Sequence, residues 1–386
     1  LLKPIYSSTI NIFTIISLVY FSIGSLILDA SVKSQIILSI LSNNISILII
    51  SLYFAKLGKK NKDFISLSIL TFFILQLNSY FYGFSTHGTH NVGILFLIIN
   101  LIFLENYLKK ISSDKISLKN RFLYFFIQGL AFYSMYANVF LITCCSLIGI
   151  LFLKKNQKFK FKELIIYFSS SIILFIPAIL VLIISLGNIE NDQGFILWGK
   201  WAFSYAEGAS PFDLASYLKV NIIKWYVFNT ENFGFFLFPI SLLGLIVLKK
   251  KYNINIFLYL FISHFIISFL MAGFTYAQSR TLAYLMPVCS VGISVLIYFS
   301  YKYFISIKKN YFNFFKFISF LIIFFIIIFE IILGTNKILK PELIKTDWSS
   351  KYTSKNNHYH YVNKLLNSIL KKKTIIITDT NSSRII

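Results

Sequence analysis

Between Lys56 and Lys316 the cationic residues collect in five short clusters separated by long apolar runs, and that alternation excludes an ordinary soluble fold. A membrane-spanning helix needs about 20 mostly apolar residues. The runs 34–56, 64–81, 91–107, 164–186, 255–272, 281–300 and 317–334 each approach that length. In water they would expose far more apolar surface than a monomer tolerates. The chain therefore reads as an all-α polytopic membrane protein with about 10–11 membrane helices, and its first partner is the lipid bilayer.

A composition of 57% hydrophobic and 13% charged residues agrees with this reading. The formal charge of +23 is partly compositional, because Ile, Phe, Lys, Asn and Tyr are over-used together, as in AT-rich coding sequence. No basic stripe interleaved with aromatics lies on a soluble face, so nucleic acid is not expected as a partner. Cys144, Cys145 and Cys289 all sit inside apolar runs, which suits buried thiols better than a disulfide framework or a metal cluster.

Charge placement predicts the orientation, since short cytoplasmic loops carry the Lys/Arg excess. The clusters Lys56/Lys59/Lys60/Lys62, Lys109/Lys110/Lys115/Lys119/Arg121, Lys154/Lys155/Lys158/Lys160/Lys162, Lys249/Lys250/Lys251 and Lys302/Lys308/Lys309/Lys316 hold 21 of the 37 basic residues. The intervening loops hold only Lys33, Lys200, Lys219, Lys224 and Arg280, and are expected outside. Residues 122–153 are apolar throughout yet carry a basic cluster at each end. A single crossing would put one cluster outside. Two short or tilted helices meeting near Tyr133-Ser134-Met135-Tyr136 keep both inside, so a helical hairpin is predicted.

The expected organisation is a membrane domain over 1–334, with outer segments 82–90, 187–233 and 273–280, followed by an extracytoplasmic tail over 335–386. Within the long loop, Ser210-Pro211-Phe212-Asp213 reads as a helix start. Leu214, Tyr217, Leu218, Ile222, Trp225 and Tyr226 then recur at the spacing of an interfacial helix or an ordinary packed one. In the tail, Tyr359, Val362, Leu366 and Ile369 form a helical stripe, and 374–378 is a β-branched run, as at the start of a small α/β domain. Position 1 is Leu rather than Met, and sequence is expected upstream of it.

Phosphate loops, Cys-x-x-Cys pairs, His-Glu-x-x-His and nucleophile elbows are all missing. His358 and His360 have a spacing that could serve a metal but no third ligand nearby. His264 lies inside a span, where hydrogen bonding to a neighbouring helix is the simpler role.

An ordered series of segments resembles one family, the GT-C-fold glycosyltransferases that use polyprenyl-phosphate sugars, of the protein-mannosyltransferase and lipid A aminoarabinose transferase type (family 39-like). Lys3-Pro4-Ile5-Tyr6 resembles the family's Lys/His-Pro-Pro-Leu-Tyr-Tyr element. The run 40–60 resembles its helix ending in a basic turn, and Tyr80-Phe81-Tyr82-Gly83-Phe84-Ser85 its tyrosine-rich second outer loop. Leu130-Ala131-Phe132-Tyr133-Ser134-Met135-Tyr136 is similar to its Leu-Ala-Leu-Tyr-Thr-His-Tyr hairpin, and Leu174-Phe175-Ile176-Pro177 to its Leu-Phe-Leu-Pro span. Residues 280–287 are similar to its Arg-Tyr-Leu-Leu-Pro-x-x-Pro helix, and Trp348 to the start of its terminal outer segment.

The resemblance implies transfer of a sugar from a polyprenyl-phosphate donor to a lipid, glycan or protein acceptor at the outer face of a bacterial inner membrane. Such chemistry needs a carboxylate to take the acceptor proton and cations or a metal to hold the phosphate. Arg280, at the mouth of a span, suits a bidentate phosphate contact or a headgroup anchor. His87 and His90 share an outer loop with Tyr82 and could touch phosphate, sugar or metal, and Lys3 and Tyr6 enter through the resemblance. A divalent metal ion is the one cofactor this chemistry leaves open.

The chain departs from the pattern in three places. Thr86-His87-Gly88-Thr89-His90 stands where the family often has an acid followed by Arg and Tyr, and the first element has one proline. The family's catalytic base lies upstream of the Lys-Pro element, so the base is expected before Leu1. Asp29 is a possible substitute, although a helix cap suits it better. An O-antigen-type polysaccharide polymerase or ligase would also need many spans, but with paired outer arginines. A transporter would need mid-membrane ionisable groups, for which Glu105, His264 and Glu330 are the candidates.

Overall fold

The computed structural model describes residues 15–28, 32–58, 62–77, 88–113, 115–186, 236–270 and 284–306, together with 321, 325 and 328. Ten helices lie within them: α1 Ile15–Ile27, α2 Val32–Gly58, α3 Asp63–Leu77, α4 Gly88–Ser112, α5 Leu118–Phe132, α6 Tyr136–Leu151, α7 Gln157–Leu186, α8 Leu237–Tyr252, α9 Ile256–Leu270 and α10 Leu285–Ser306. No strand occurs among the described residues. The expected interfacial helix near Pro211, the α/β tail and most of the run 317–334 lie outside them.

Four stretches are long and apolar enough to cross a membrane: Ile37–Gly58, His90–Ser112, Gln157–Leu180 and Leu285–Lys302. The chain is an all-α multi-pass membrane protein. Its helices bury small polar residues among an apolar core and turn large apolar ones outward. On α2 the buried face carries Ser39, Ser42, Asn43 and Ser46, while Ile37, Leu41, Leu48 and Leu52 are exposed. On α3 the exposed stripe is Ile65, Ile69 and Phe73. Water would reject that arrangement, but hydrocarbon accepts it, because small polar residues let helices approach and hydrogen-bond where lipid cannot.

Helices α8 and α10 make the most extensive pairing, followed by α2 with α3 and α2 with α4. The α8–α10 contact requires glycine: a Cβ on Gly244 would overlap the Gly292 backbone, and one on Gly292 would overlap the Ser241 backbone. At the other extreme, α7 buries only 17% of its most apolar stretch, leaving Ile165, Ile172, Ile173 and Ile176 exposed for lipid.

The predicted hairpin is present. Helix α5 ends at Tyr133 and α6 starts at Tyr136, with Met135 extended between them (φ −159°, ψ 131°). Ser117 caps α5 by accepting from the Asn120 amide. The 15 residues of α5 rise roughly 22 Å, less than the ~30 Å hydrocarbon core, as short paired helices in a hairpin do.

The described members of the five basic clusters lie at one end of the bundle, as the hairpin requires. Arg121 at the start of α5 reaches Tyr107 near the end of α4 and Glu163 in the first turns of α7. Lys160 donates to the Leu151 carbonyl at the end of α6, and Lys249 of α8 lies over Phe152. Lys302 of α10 and Tyr252 of α8 meet Asp63 at the start of α3, whose neighbour Phe64 stacks on Phe54 near the end of α2.

Candidate functional site

The hairpin turn has to solve a hydrogen-bonding problem. A chain that breaks its helix inside hydrocarbon strands several carbonyls, each costly without a donor. Here the carbonyls of Ala131, Tyr133 and Ser134 each find a protein donor. The Asn138 amide nitrogen donates to the carbonyls of Gly93 (2.9 Å) and Ala131 (3.1 Å) and to Ser134 Oγ (3.1 Å). With two carbonyls as acceptors, that atom must be the nitrogen. Ser134 Oγ donates to the Ala131 carbonyl at 2.7 Å.

The remaining carbonyls are closed by α1. The Ile16 backbone amide donates to the Tyr133 carbonyl at 2.9 Å, and Ser17 Oγ donates to the Ser134 carbonyl at 2.7 Å. The positive end of one helix thus meets the negative end of another, a favourable alignment in a low dielectric. Helix α1 starts at the hairpin turn and runs toward the far end, where Tyr20 bonds the Leu38 carbonyl and Gly24 packs on Leu38.

Around this junction the far end is a set of neutral contacts. Asn91 in the first turns of α4 bonds Ser39 of α2, two positions before Gly93, whose missing Cβ makes room for Met135. Gln76 of α3 donates to Asn44 Oδ1 at 3.0 Å. Tyr133 Oη donates to the Leu174 carbonyl, tying the hairpin to α7. His264 of α9 and Tyr284, just before α10, are both fully buried, with Nδ1 and Oη 2.7 Å apart.

Of the residues singled out in the sequence, His90 sits half-buried in the first turn of α4, next to Asn91. Lys3, Tyr6, Tyr82, His87 and Arg280 lie outside the described residues, as do Asp29, Glu330, His358 and His360. Glu105 belongs to the basic end, ion-paired with Lys109 at 2.9 Å and accepting from the Asn255 amide at 3.4 Å. His264 has the inter-helix hydrogen bond expected of it. No group of three His, Cys, Asp or Glu able to hold a metal occurs among the described residues.

The sequence reading did not single out Asn138, Ser17 or Asn91, which build the junction. A signal existed for the first: Asn138 is an amide in an apolar run, two residues past the predicted turn. At the basic end Asp63 precedes the apolar run 64–81 and accepts from Tyr252 Oη (2.6 Å), Tyr298 Oη (2.7 Å) and Lys302 Nζ (2.7 Å). Burial disfavours its charge, but hydrogen bonds from Lys302, Tyr252 and Tyr298 outweigh this and hold the carboxyl down at about 2. No family model, curated protein or solved structure matches the chain.

Proposed function

We propose that the chain is a membrane glycosyltransferase of the GT-C type, moving a sugar from a polyprenyl-phosphate donor to a lipid, glycan or protein acceptor at the far end of the bundle. The observation that carries this reading is where the hairpin breaks. Its turn falls on Tyr133, Ser134 and Met135, inside the seven-residue segment similar to the family's hairpin. A transferase acting on a lipid-borne donor has to hold polar groups below the membrane surface, and the junction of α1, α4, α5 and α6 holds them there.

This reading puts the basic end in the cytoplasm and the far end outside, in a bacterial inner membrane. His90 then stands at the outer end of α4, and Arg280 lies four positions before Tyr284, the residue anchored on His264. Arg280 is the group assigned to the donor phosphate, where a planar guanidinium can bond two oxygens at once. Reporter fusions after Lys60, Lys119, Lys158, Lys250 and Lys309 should read cytoplasm, and fusions near Gly88, Gly208 and Asn356 should read outside. A cytoplasmic signal at Gly88 would remove the site from the outer face.

The activity is tested with full-length protein in proteoliposomes, following labelled sugar from an undecaprenyl-phosphate donor. Losing a charge-assisted contact to the developing phosphate costs on the order of 2–4 kcal/mol of transition-state stabilisation. Arg280→Ala should therefore lower turnover about a hundredfold with insertion intact, and Arg280→Lys should recover part of it. Wild-type turnover in Arg280→Ala would leave that residue as a headgroup anchor.

A further inference from the structure

The basic end has a corner that the transferase reading leaves without a ligand. Two clusters separated by about ninety residues of sequence, Lys154 to Lys162 and Lys249 to Lys251, come together at the end of α6, where Lys160 reaches the Leu151 carbonyl and Lys249 the Phe152 ring. Phe152 caps the end of α6, is 62% exposed, and stacks on Tyr259 of α9 with ring centres 6.1 Å apart. Lys249 Nζ lies 5.4 Å above the Phe152 ring, and Lys155 Nζ lies 5.3 Å from the Phe159 ring. Lys160 is turned inward to the Leu151 carbonyl, while Lys154, Lys158, Lys250 and Lys251 are exposed.

Among the described residues no carboxylate is paired with Lys154, Lys158, Lys249 or Lys250. The three among the described residues, Asp63, Glu105 and Glu163, are held by Lys302, Lys109 and Arg121, none of which belongs to the corner. What the corner offers is several ammonium groups beside exposed Leu151 and Phe152, at the end of helices whose outer faces are apolar. A ligand that satisfies both needs an anionic head and a hydrocarbon body.

We propose that this corner, built by the α6–α7 connection and the end of α8, is a binding site for an anionic phospholipid. Its phosphate lies among Lys154, Lys158, Lys249 and Lys250, and its acyl chains run along Leu151 and Phe152. Clustered lysines at a membrane surface favour anionic lipid cumulatively, and burying the aromatic ring against acyl chains adds to it. Free phosphate would use the lysines and leave the apolar neighbours unused.

The test uses the full chain in mild detergent with phosphatidylglycerol, phosphatidylcholine or inorganic phosphate as probe, with retained lipid counted by native mass spectrometry. Wild type should keep phosphatidylglycerol in preference to phosphatidylcholine, and millimolar phosphate should not displace it. The variant Lys154→Gln/Lys158→Gln/Lys249→Gln/Lys250→Gln should bind it about tenfold more weakly or worse. A control with the same charge loss elsewhere at this end, Lys56→Gln/Lys62→Gln/Lys115→Gln/Lys119→Gln, should stay within about twofold of wild type. If the corner variant fails to insert, a photoreactive phosphatidylglycerol on wild type should label peptides containing Phe152 to Lys162 and Lys249 to Lys251. Equal loss in the control, equal retention of phosphatidylcholine, displacement by free phosphate, or labelling spread over the whole basic end would each overturn the proposal.

Discussion

The two ends of this bundle are fastened by different chemistry. At the basic end the cross-links are ionic: Asp63 with Lys302 and Glu163 with Arg121. At the junction of α1 with the hairpin, and around it, they are neutral: Asn138 with three oxygens, Ser17 with a carbonyl, Asn91 with Ser39. The difference follows from desolvation. A charge is affordable near headgroups and water, where the dielectric is high, whereas inside hydrocarbon an amide or hydroxyl satisfies a stranded carbonyl at much lower cost. The fastenings at one end should therefore respond to pH and salt, and those at the other to neither.

The most disruptive test of that contrast is Arg121→Ala. Glu163 is only 2% exposed and takes both guanidinium nitrogens at 2.7 Å. Stranding it should cost about 3–5 kcal/mol, read as loss of unfolding free energy in detergent. Adding Glu163→Ala to that variant should restore most of the loss, because no orphaned charge remains. A double variant as unstable as the single one would mean that the pair itself, and not the stranded carboxylate, sets the cost.

Next in size is Asn138→Leu, which removes every donor that the side chain supplies to the turn and should cost roughly 2–3 kcal/mol. The loss should be the same at low and high salt and across pH 5–8. A salt-dependent loss would erase the distinction between the two ends. The smallest effect is expected at Asp63, because Lys302 is half exposed and its charge is screened. Asp63→Asn should cost about 1–2 kcal/mol. Its carboxyl is held below the ordinary carboxylate value, so its contribution is fully present above pH ~4 and fades as pH falls toward 2. Wild-type stability should drop across that window, and the Asn variant should drop less.

Spans and hairpin were legible because hydrocarbon imposes simple rules. Length and apolarity mark a crossing, and a basic cluster at each end of 122–153 forces an even number of passes. Pairing is another matter. Asp63 and Lys302 are 239 residues apart, and Ser17 and Ser134 are 117 apart. Nothing in the local pattern of either partner names the other. Residues such as Asn138 could be flagged as polar in an apolar setting, but the carbonyls that they serve belong to the backbone, which carries no sequence signal. Of the remaining candidates, Arg280, His87 and His90 rest on their place in the expected outer segments, and Lys3 and Tyr6 on the family resemblance.

The docking of α1 on the hairpin also bears on how the protein is made. Ribosomes deliver α1 first, so the amide of Ile16 and the hydroxyl of Ser17 enter the lipid more than a hundred residues before the carbonyls that they will bond. During that interval the nascent chain in the membrane holds open donors. The hairpin, when it emerges, carries complementary open acceptors and flanking lysines that never have to pass through the bilayer. Packing of α5 and α6 against α1 therefore completes a helix end synthesised long before, which makes this junction a late step in assembly.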